Sequence, residues 1–219
     1  MRLNRFISLA TGISRRQADR EIEFRRVSVD GHPAENGQQV DNSNLVTLND
    51  KPLTIPQELT TIMLNKPVGY VVSRNGQGSQ TVYELLPEKY SSLKPVGRLD
   101  KYSSGLLLLT DDGQLSQLLT HPGNKKTKIY ELTLDHQISE QDRRTITTLG
   151  VKLDDGLSKL KLNNIDQSGR ELQVIMSEGR NRQIRRTFST LGYDTLKLHR
   201  TDFGDYKLGD LRSGSFERV

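Results

Sequence analysis

The chain has 219 residues, of which 33% are hydrophobic, enough to bury one medium core and a smaller second one. It has no cysteine, which excludes disulfides, thiol catalysis and cysteine-bound zinc, and its four histidines lie too far apart for a paired metal motif. The formal net charge of +5 favours a polyanion as partner. No segment fits a signal peptide or a membrane span, so we expect a cytoplasmic protein.

The N-terminal segment is predicted to form two helices packed on a small sheet. Leu3, Phe6, Ile7 and Ala10 have the spacing of an amphipathic helix, which Gly12 is placed to end. Ser14 and Gln17 form a capping-box pattern that begins a second helix. The alternating run 26–31 then predicts a strand that ends in an Asp-Gly hairpin turn, and Val40 and the run 45–48 predict further strands.

Most of the net positive charge lies in this segment. Residues 1–26 contain seven arginines and three acidic residues, so they hold four of the five net charges. The two prolines and the weak periodicity of residues 51–61 are typical of a linker, which we place at 53–60. We therefore predict a module at 1–52, a linker at 53–60 and a larger domain at 61–219.

The larger domain mixes short strands with a few helices and has no regular βαβ rhythm. Strands are predicted at 61–64, 70–73, 128–134 and 172–176, and a helix at 181–191. This pattern indicates an α+β fold, with a mixed, mainly antiparallel sheet and flanking helices.

The most informative segment of the chain is Val96–Gly113. It is a polar, glycine-flanked loop that carries Asp100 and leads into the apolar run Leu106–Leu109. A buried strand holds such a loop rigidly, as a catalytic side chain requires. On spacing alone, however, an aspartate that only caps backbone N–H groups is the preferred interpretation, because a single aspartate is rarely catalytic.

Two further segments carry groups that suit a nucleic acid. Residues 178–186 contain four arginines within seven positions, a density that suits phosphate contacts and carboxylate pairing, although an exposed helix face is the plainer interpretation. Tyr130 lies on a predicted strand, where a tyrosine is more often ordinary core, but an aromatic ring also stacks on unpaired bases.

Four motifs in order make the chain resemble the ribosomal RNA pseudouridine synthases of the RsuA type. They are Asn65-Lys-Pro-Val-Gly69, Gly97-Arg-Leu-Asp100 with the strand and Asp112-Gly113 after it, Lys128-Ile-Tyr130, and Glu178 to Arg186. The N-terminal segment is similar to the αL-type RNA-binding module of a small-subunit ribosomal protein and of tyrosyl-tRNA synthetases. Ser103, Asp111 and Thr187 stand where threonine, asparagine and methionine are common in the family, and these departures leave the matched aspartate, tyrosine and arginine unchanged.

The resemblance implies an isomerase that converts a uridine of ribosomal RNA to pseudouridine without a cofactor. Asp100 then matches the essential carboxylate, which either attacks the nucleoside or removes a ribose proton. Such a carboxylate must stay ionised in a pocket that excludes water. The family's motif implies that its ion-pair partner is Arg185 and that Tyr130 is the aromatic that stacks on the flipped base. The arginines expected to bind RNA are Arg2, Arg5, Arg15, Arg16, Arg20, Arg26, Arg98, Arg180, Arg182 and Arg186.

Two other functions fit parts of the sequence. One is a catalytically silent RNA-binding or ribosome-assembly factor, and the other is a tRNA-acting or protein-binding regulator that uses only the N-terminal module. The expected partner of the enzyme is ribosomal RNA or a ribosome-assembly intermediate, with a mild preference for large-subunit RNA. We expect a monomer that binds no metal, no small-molecule cofactor and no membrane.

Overall fold

A computed structural model describes residues 1–41, 43–56 and 58–219. The chain divides into two units, one of Met1–Thr60 with Ser92–Lys94 and one of Thr61–Ser91 with Pro95–Val219. The second unit carries an α+β fold, as the sequence predicts. Within the described residues, no helix has the length and apolar character that crossing a membrane requires.

The first unit packs two helices on a small antiparallel sheet with the strand order β2-β1-β3-β4. Its elements are α1 (Leu3–Thr11), α2 (Arg15–Glu23), β1 (Val27–Val29), β2 (His32–Pro33), β3 (Val46–Leu48) and β4 (Lys51–Pro52). Apolar residues from both helices and from β1 and β3 share one buried cluster. The predicted amphipathic pattern of this segment is therefore confirmed.

The predicted caps and turns of the first unit are confirmed in detail. Gly12 ends α1 with φ of 78°, a left-handed conformation that glycine adopts without steric cost. Ser14 accepts a bond from the Gln17 backbone N–H, and the Gln17 side chain accepts one from the Ser14 N–H. Asp30, with φ of 52°, and the glycine after it make the hairpin turn between β1 and β2.

Two details of this unit differ from the sequence predictions. Val40 is buried in the core but joins no strand of the described chain; its N–H donates to the Met1 carbonyl oxygen. Residues 53–60, predicted as a linker, belong to the first unit, where Leu53 and Ile55 pack partly buried against its core. Burial of these two apolar side chains stabilises the packed segment relative to a linker exposed to solvent. Gln57 lies outside the described residues.

The second unit is built on a sheet with the strand order β11-β12-β8-β13-β7-β5-β15, to which β14 and β6 add at β13 and β7. These strands are β5 (Thr61–Lys66), β6 (Lys94–Pro95), β7 (Ser104–Thr110), β8 (Lys128–Leu134), β11 (Lys161–Asn164), β12 (Glu171–Met176), β13 (Thr195–Phe203), β14 (Tyr206–Lys207) and β15 (Phe216–Arg218). The β7–β13 pair is parallel, whereas β8 pairs antiparallel with both β12 and β13.

A close approach of two backbones joins the two halves of this sheet. A Cβ atom added at Gly105 would lie 2.2 Å from the Arg200 carbonyl oxygen, and Gly105 has φ of +102°. Only glycine permits both the conformation and the contact. Gly105 therefore explains how β13 can lie directly beside the strand that follows the Asp100 loop.

The second unit also contains three α-helices within its described residues and a separate two-stranded hairpin. They are α3 (Gly113–Thr120), α4 (Glu140–Arg144), which continues as a π-helical turn over Thr145–Leu149, α5 (Gln183–Thr190), and the hairpin of β9 (Val151–Leu153) and β10 (Gly156–Ser158). Asp112 caps α3 by accepting a 2.8 Å bond from the Gln114 N–H.

Two sequence predictions for the second unit need correction. Residues 70–73 form no strand, because Gly69 turns the chain and donates its N–H to the Lys101 carbonyl oxygen; Val71 then makes only an isolated bridge to Thr81. The helix predicted from residue 181 begins at Gln183, since Arg182 has φ of 45° and lies outside helical geometry.

Candidate active site

Asp100 lies in the loop that precedes β7, on the wall of a cavity of about 490 Å³. The cavity is a suitable size for a small organic group such as a nucleotide. Its wall also carries Arg98, Tyr130 and Arg182. The structure thus brings together residues from three of the segments that the sequence analysis singled out.

A buried lysine holds the Asp100 loop from behind. Lys66, at the end of β5, has no exposed surface, and its ammonium donates to the carbonyl oxygens of Pro67, Asp100 and Ser103 at 2.9, 3.1 and 2.7 Å. Burial lowers the pKa of Lys66 to about 8, against the opposing effect of the Asp100 charge. The lysine of the Asn-Lys-Pro motif therefore fixes the loop backbone and leaves the Asp100 carboxylate to the cavity.

The ion pair at Asp100 is made by Arg182, which corrects the expected pairing with Arg185. Arg182 Nη1 lies 3.8 Å from Asp100 Oδ2, and the two side chains are 45% and 30% exposed. The carboxylate is thus more hydrated than the buried group that the resemblance implied. Arg182 is the residue just before α5, and its backbone is left-handed.

Arg185 contacts the Asp100 loop through the main chain instead. Its guanidinium donates to the Tyr102 carbonyl oxygen at 2.7 Å and to the Thr195 carbonyl oxygen at 2.9 Å. Burial lowers the pKa of Arg185, as does the Arg182 charge, while Asp100 acts in the opposite direction. Both hydrogen bonds of this guanidinium go to main-chain carbonyl oxygens. Arg185 therefore faces the backbone, although it lies within the electric field of Asp100.

The remaining wall of the cavity is one face of the sheet. Tyr130 on β8 is 8% exposed, and Arg200 on β13 lies directly opposite it in the strand register. Met176 and Leu198 line the same cavity from β12 and β13. A bulge between Arg200 and Asp202 brings Phe203 to this face as well, because it shifts the alternation of β13.

Two of the arginines expected to bind RNA are engaged within the protein. Asp155, at the tip of the β9–β10 hairpin, accepts 2.8 Å and 2.6 Å bonds from Arg180 and Arg186. Arg180 also donates to the carbonyl oxygens of Asp155 and Leu157. These bonds hold the hairpin against the segment that carries Arg182. Arg180 and Arg186 therefore have a structural role, which the density of arginines in the sequence did not indicate.

The other predicted RNA-binding arginines lie mostly at exposed positions. Arg98 is exposed at the cavity, while Arg2, Arg15, Arg16, Arg20 and Arg26 are exposed and Arg5 half-buried in the first unit. Arg26 pairs with Glu21 at 3.1 Å, and Arg15 donates to Asn4 at 3.3 Å. The structure leaves Arg16 and Arg20 on the outer face of α2, as the sequence predicts.

Sequence reasoning gave no role to Lys66, Asp155 or Arg200. The first lies in a motif whose composition indicates only a turn, and the other two lie in strands or turns of ordinary composition. No group of three or more metal-binding side chains occurs within residues 1–41, 43–56 and 58–219.

The comparisons with known proteins identify the family of the chain. Residues 60–190 match the family model described as RNA pseudouridylate synthase. The chain is 35% identical over 213 residues to the ribosomal small subunit pseudouridine synthase A of Yersinia pestis, covering 96% of this chain and 90% of that protein. It is 32% identical to an uncharacterized RNA pseudouridine synthase of Aquifex aeolicus (strain VF5), covering 100% and 90%.

A solved structure supports the same assignment. It is a crystal structure of a pseudouridylate synthase, with a TM-score of 0.69 and 31% sequence identity, over 100% of this chain and 96% of that one. The chain therefore belongs to the RNA pseudouridylate synthase family, in its RsuA-like branch, and is an enzyme that isomerises uridine in RNA.

Proposed function

We propose that this enzyme isomerises a uridine of the small-subunit ribosomal RNA and that Asp100 is its catalytic carboxylate. The Yersinia pestis relative is named for the small ribosomal subunit. This name favours small-subunit RNA over the large-subunit RNA that the sequence alone led us to prefer.

The observation that carries the catalytic proposal is the place of Asp100 in the cavity. Its carboxylate lies 3.8 Å from the Arg182 guanidinium and shares the cavity with Tyr130. Both attack on the nucleoside and removal of a ribose proton require a carboxylate, and the Arg182 guanidinium places a positive charge beside it. Arg182 then supports the charge directly, and Arg185 positions the loop through Tyr102.

Tyr130 provides the surface on which the target base stacks. A uridine inside folded RNA must leave its stack to reach the cavity, which costs a few kcal/mol, and stacking on an aromatic ring offsets part of this cost. Arg98, exposed at the same cavity, is available to contact the RNA beside the flipped nucleotide.

The first unit supplies additional RNA affinity through the exposed arginines of α2. Their exposure and concentration support this role, because phosphate contacts by arginine are strong and independent of sequence. The reaction conserves all atoms and electrons of the nucleotide, so the proposal includes no cofactor, and it treats the enzyme as a monomer in the cytoplasm.

The test uses the purified protein with separate transcripts of small-subunit and large-subunit ribosomal RNA. Carbodiimide-stop mapping should find a new pseudouridine in the small-subunit transcript alone. Asp100→Asn should abolish the product while RNA binding and thermal stability stay near the wild-type values. Asp210→Asn makes the same chemical change at an exposed position outside the cavity and should retain full activity. Product from the Asp100→Asn variant at the wild-type rate would refute the catalytic assignment.

A second variant separates the possible roles of Tyr130. Tyr130→Phe keeps the stacking surface and removes the hydroxyl, whereas Tyr130→Leu removes the aromatic face. If the ring only stacks, the phenylalanine variant keeps its activity and the leucine variant loses it. If the hydroxyl assists removal of the C5 proton, both variants lose activity.

A further inference from the structure

Arg200 is a buried guanidinium on the wall of the candidate active site that the mechanism above does not use. Its side chain is 2% exposed and lines the cavity. Its Nε donates to the Leu106 carbonyl oxygen at 2.8 Å, and its Cζ lies 4.9 Å from the centre of the Phe203 ring. Strand β7 and an aromatic ring therefore hold the guanidinium in one place.

The charge of Arg200 is not balanced within the protein. No ion pair in the described part of the chain includes Arg200, and its buried Nη2 has no hydrogen-bond partner. A second cation, Lys128 Nζ, lies 5.2 Å from the same Phe203 ring, and burial together with the Arg200 charge lowers the pKa of Lys128. An unpaired buried charge is energetically costly. The unbalanced charge of Arg200 therefore indicates that a negatively charged group of a ligand binds beside it.

The position of Arg200 indicates which part of the substrate it meets. Residues directly opposite each other on neighbouring strands place their side chains on the same face, and Arg200 lies opposite Tyr130. The guanidinium is therefore beside the ring on which we propose that the base stacks. The phosphates of a flipped nucleotide stay bonded to the neighbouring nucleotides outside the cavity. The base has no such attachment, so it is the part of the nucleotide that reaches the buried guanidinium.

We propose that Arg200 binds a carbonyl oxygen of the target uracil and stabilises the negative charge that the base gains when the N1–C1′ bond breaks. This inference rests on the proposed function of the site. When Asp100 acts at the ribose, the electron pair of the N1–C1′ bond leaves with the base and spreads from N1 onto O2 and O4. After the base turns, C5 forms the new bond to C1′ as Asp100 leaves C1′ or returns the ribose proton that it removed. The C5 proton then leaves and N1 takes up a proton. The composition of the nucleotide is unchanged.

Arg200 suits this role because its field is fixed before the reaction begins. Donors that are already aimed at a developing charge stabilise a transition state without reorganisation, and the low polarity around a buried group strengthens them. Lys128 adds a second positive charge near the same ring. Loss of one such donor typically lowers kcat by about 100-fold to 1000-fold.

The decisive variant is Arg200→Met, which replaces the guanidinium by an apolar side chain of similar length. We expect kcat to fall by about 100-fold or more, with KM for the RNA changed only a few-fold. We also expect the thermal midpoint to stay level or to rise, because replacing an unbalanced buried charge with an apolar group is often neutral or stabilising. A purely structural arginine would show the opposite change in stability.

Arg170→Met is the matched control. The Nε of Arg170 also donates to a strand carbonyl oxygen, that of Leu134 at 3.2 Å, but Arg170 is exposed and does not line the cavity. Its kcat should remain at the wild-type value. Arg200→Lys serves as a second variant in case the methionine variant does not fold: it keeps the charge but not the planar fork, and its kcat should still fall about 10-fold or more, which is about 1.4 kcal/mol.

Each outcome decides the inference. An unchanged kcat in a folded Arg200 variant would overturn it, as would a rise in KM with normal kcat, which would indicate a phosphate contact made equally in the ground state. A loss of activity that only follows a loss of folded protein, in both the Arg200→Met and the Arg200→Lys variants, would also overturn it. If the wild-type enzyme itself makes no pseudouridine in ribosomal RNA, the proposed substrate fails instead, and the two failures are therefore distinguishable.

Discussion

Lys66 Nζ lies 3.1 Å from the main-chain oxygen of Asp100 and donates a hydrogen bond to it. The same ammonium donates to Pro67 and Ser103, so one cation satisfies three carbonyl groups around the loop. An ammonium has three N–H donors and a neutral amine has two. The protonation state of Lys66 therefore controls how completely the loop is held.

The pKa of about 8 for Lys66 predicts a pH dependence of catalysis. As the pH rises through about 8, Lys66 loses its proton, one carbonyl group loses its donor, and kcat should fall. The measurement is a pH profile of kcat for the wild type and for Lys66→Met, which has no proton to lose. A wild-type profile with the same shape as that of the methionine variant would contradict the prediction.

The same pKa gives a stability effect of the opposite sign. Its folded value, about 8, lies below the ordinary value of 10.5, so the unfolded chain binds more protons between these two pH values. The free energy of unfolding of the wild type should therefore rise with pH in this window, relative to Lys66→Met. Below pH 8 the difference between the two proteins should stay constant. Chemical denaturation at pH 7, 8, 9 and 10 tests this difference.

Gly105→Ala should unfold the second unit or destabilise it by more than about 3 kcal/mol. The added Cβ would lie 2.2 Å from the Arg200 carbonyl oxygen, at a residue with φ of +102°. Gly209→Ala is the control, because Gly209 also has positive φ, +55°, but nothing lies near the added Cβ. It should cost only about 1 to 2 kcal/mol. Equal losses in urea denaturation would show that β7 and β13 do not need this close approach.

Asp155→Asn and Arg180→Gln should each lower the thermal midpoint, and the double variant should lose clearly less than the sum of the two single losses. The reason is that both substitutions break the same 2.8 Å ion pair between the hairpin and the segment before α5. Thermal midpoints of the four proteins measure this coupling. If the double variant loses the sum of the two single losses, Arg180 does not act through Asp155.

The exposed arginines of α2 should contribute to the salt dependence of RNA binding. Replacing Arg16 and Arg20 by glutamine should lower the slope of log K against log salt by about 0.7 to 0.9 for each phosphate that the variant no longer neutralises. Arg26→Gln is the control, because Arg26 already pairs with Glu21 at 3.1 Å. A slope that stays at the wild-type value in the double variant would exclude this face of α2 from the RNA interface.

The local features of the fold could be predicted because short segments of sequence encode them. The capping box of Ser14 and Gln17, the turn at Asp30 and the alternation of β8 each depend on residues a few positions apart. The Asp100 loop was found in the same way, since its glycines and its buried strand are adjacent in the chain. Its proposed catalytic role came from the resemblance to a family.

The long-range features could not be predicted from such patterns. Asp155 precedes Arg180 by 25 residues in the chain, and only the folded hairpin brings their side chains together. The choice between Arg182 and Arg185 as the partner of Asp100 depends on the left-handed backbone of residue 182, which no composition rule indicates. The sequence of β13 does not distinguish Arg200 from an exposed strand residue. Its burial follows from the position of β13 between β8 and β7.

The central place of β13 makes the site dependent on residues that are synthesised late. In the strand order of the described chain, β13 lies between β8 and β7 and provides the only link between the β11-β12-β8 half and the β7-β5-β15 half. A nascent chain that has not yet reached residue 195 therefore cannot join Tyr130 to the strand that follows Asp100. Interrupted translation would yield fragments that carry the arginines of the first unit but lack an assembled candidate active site.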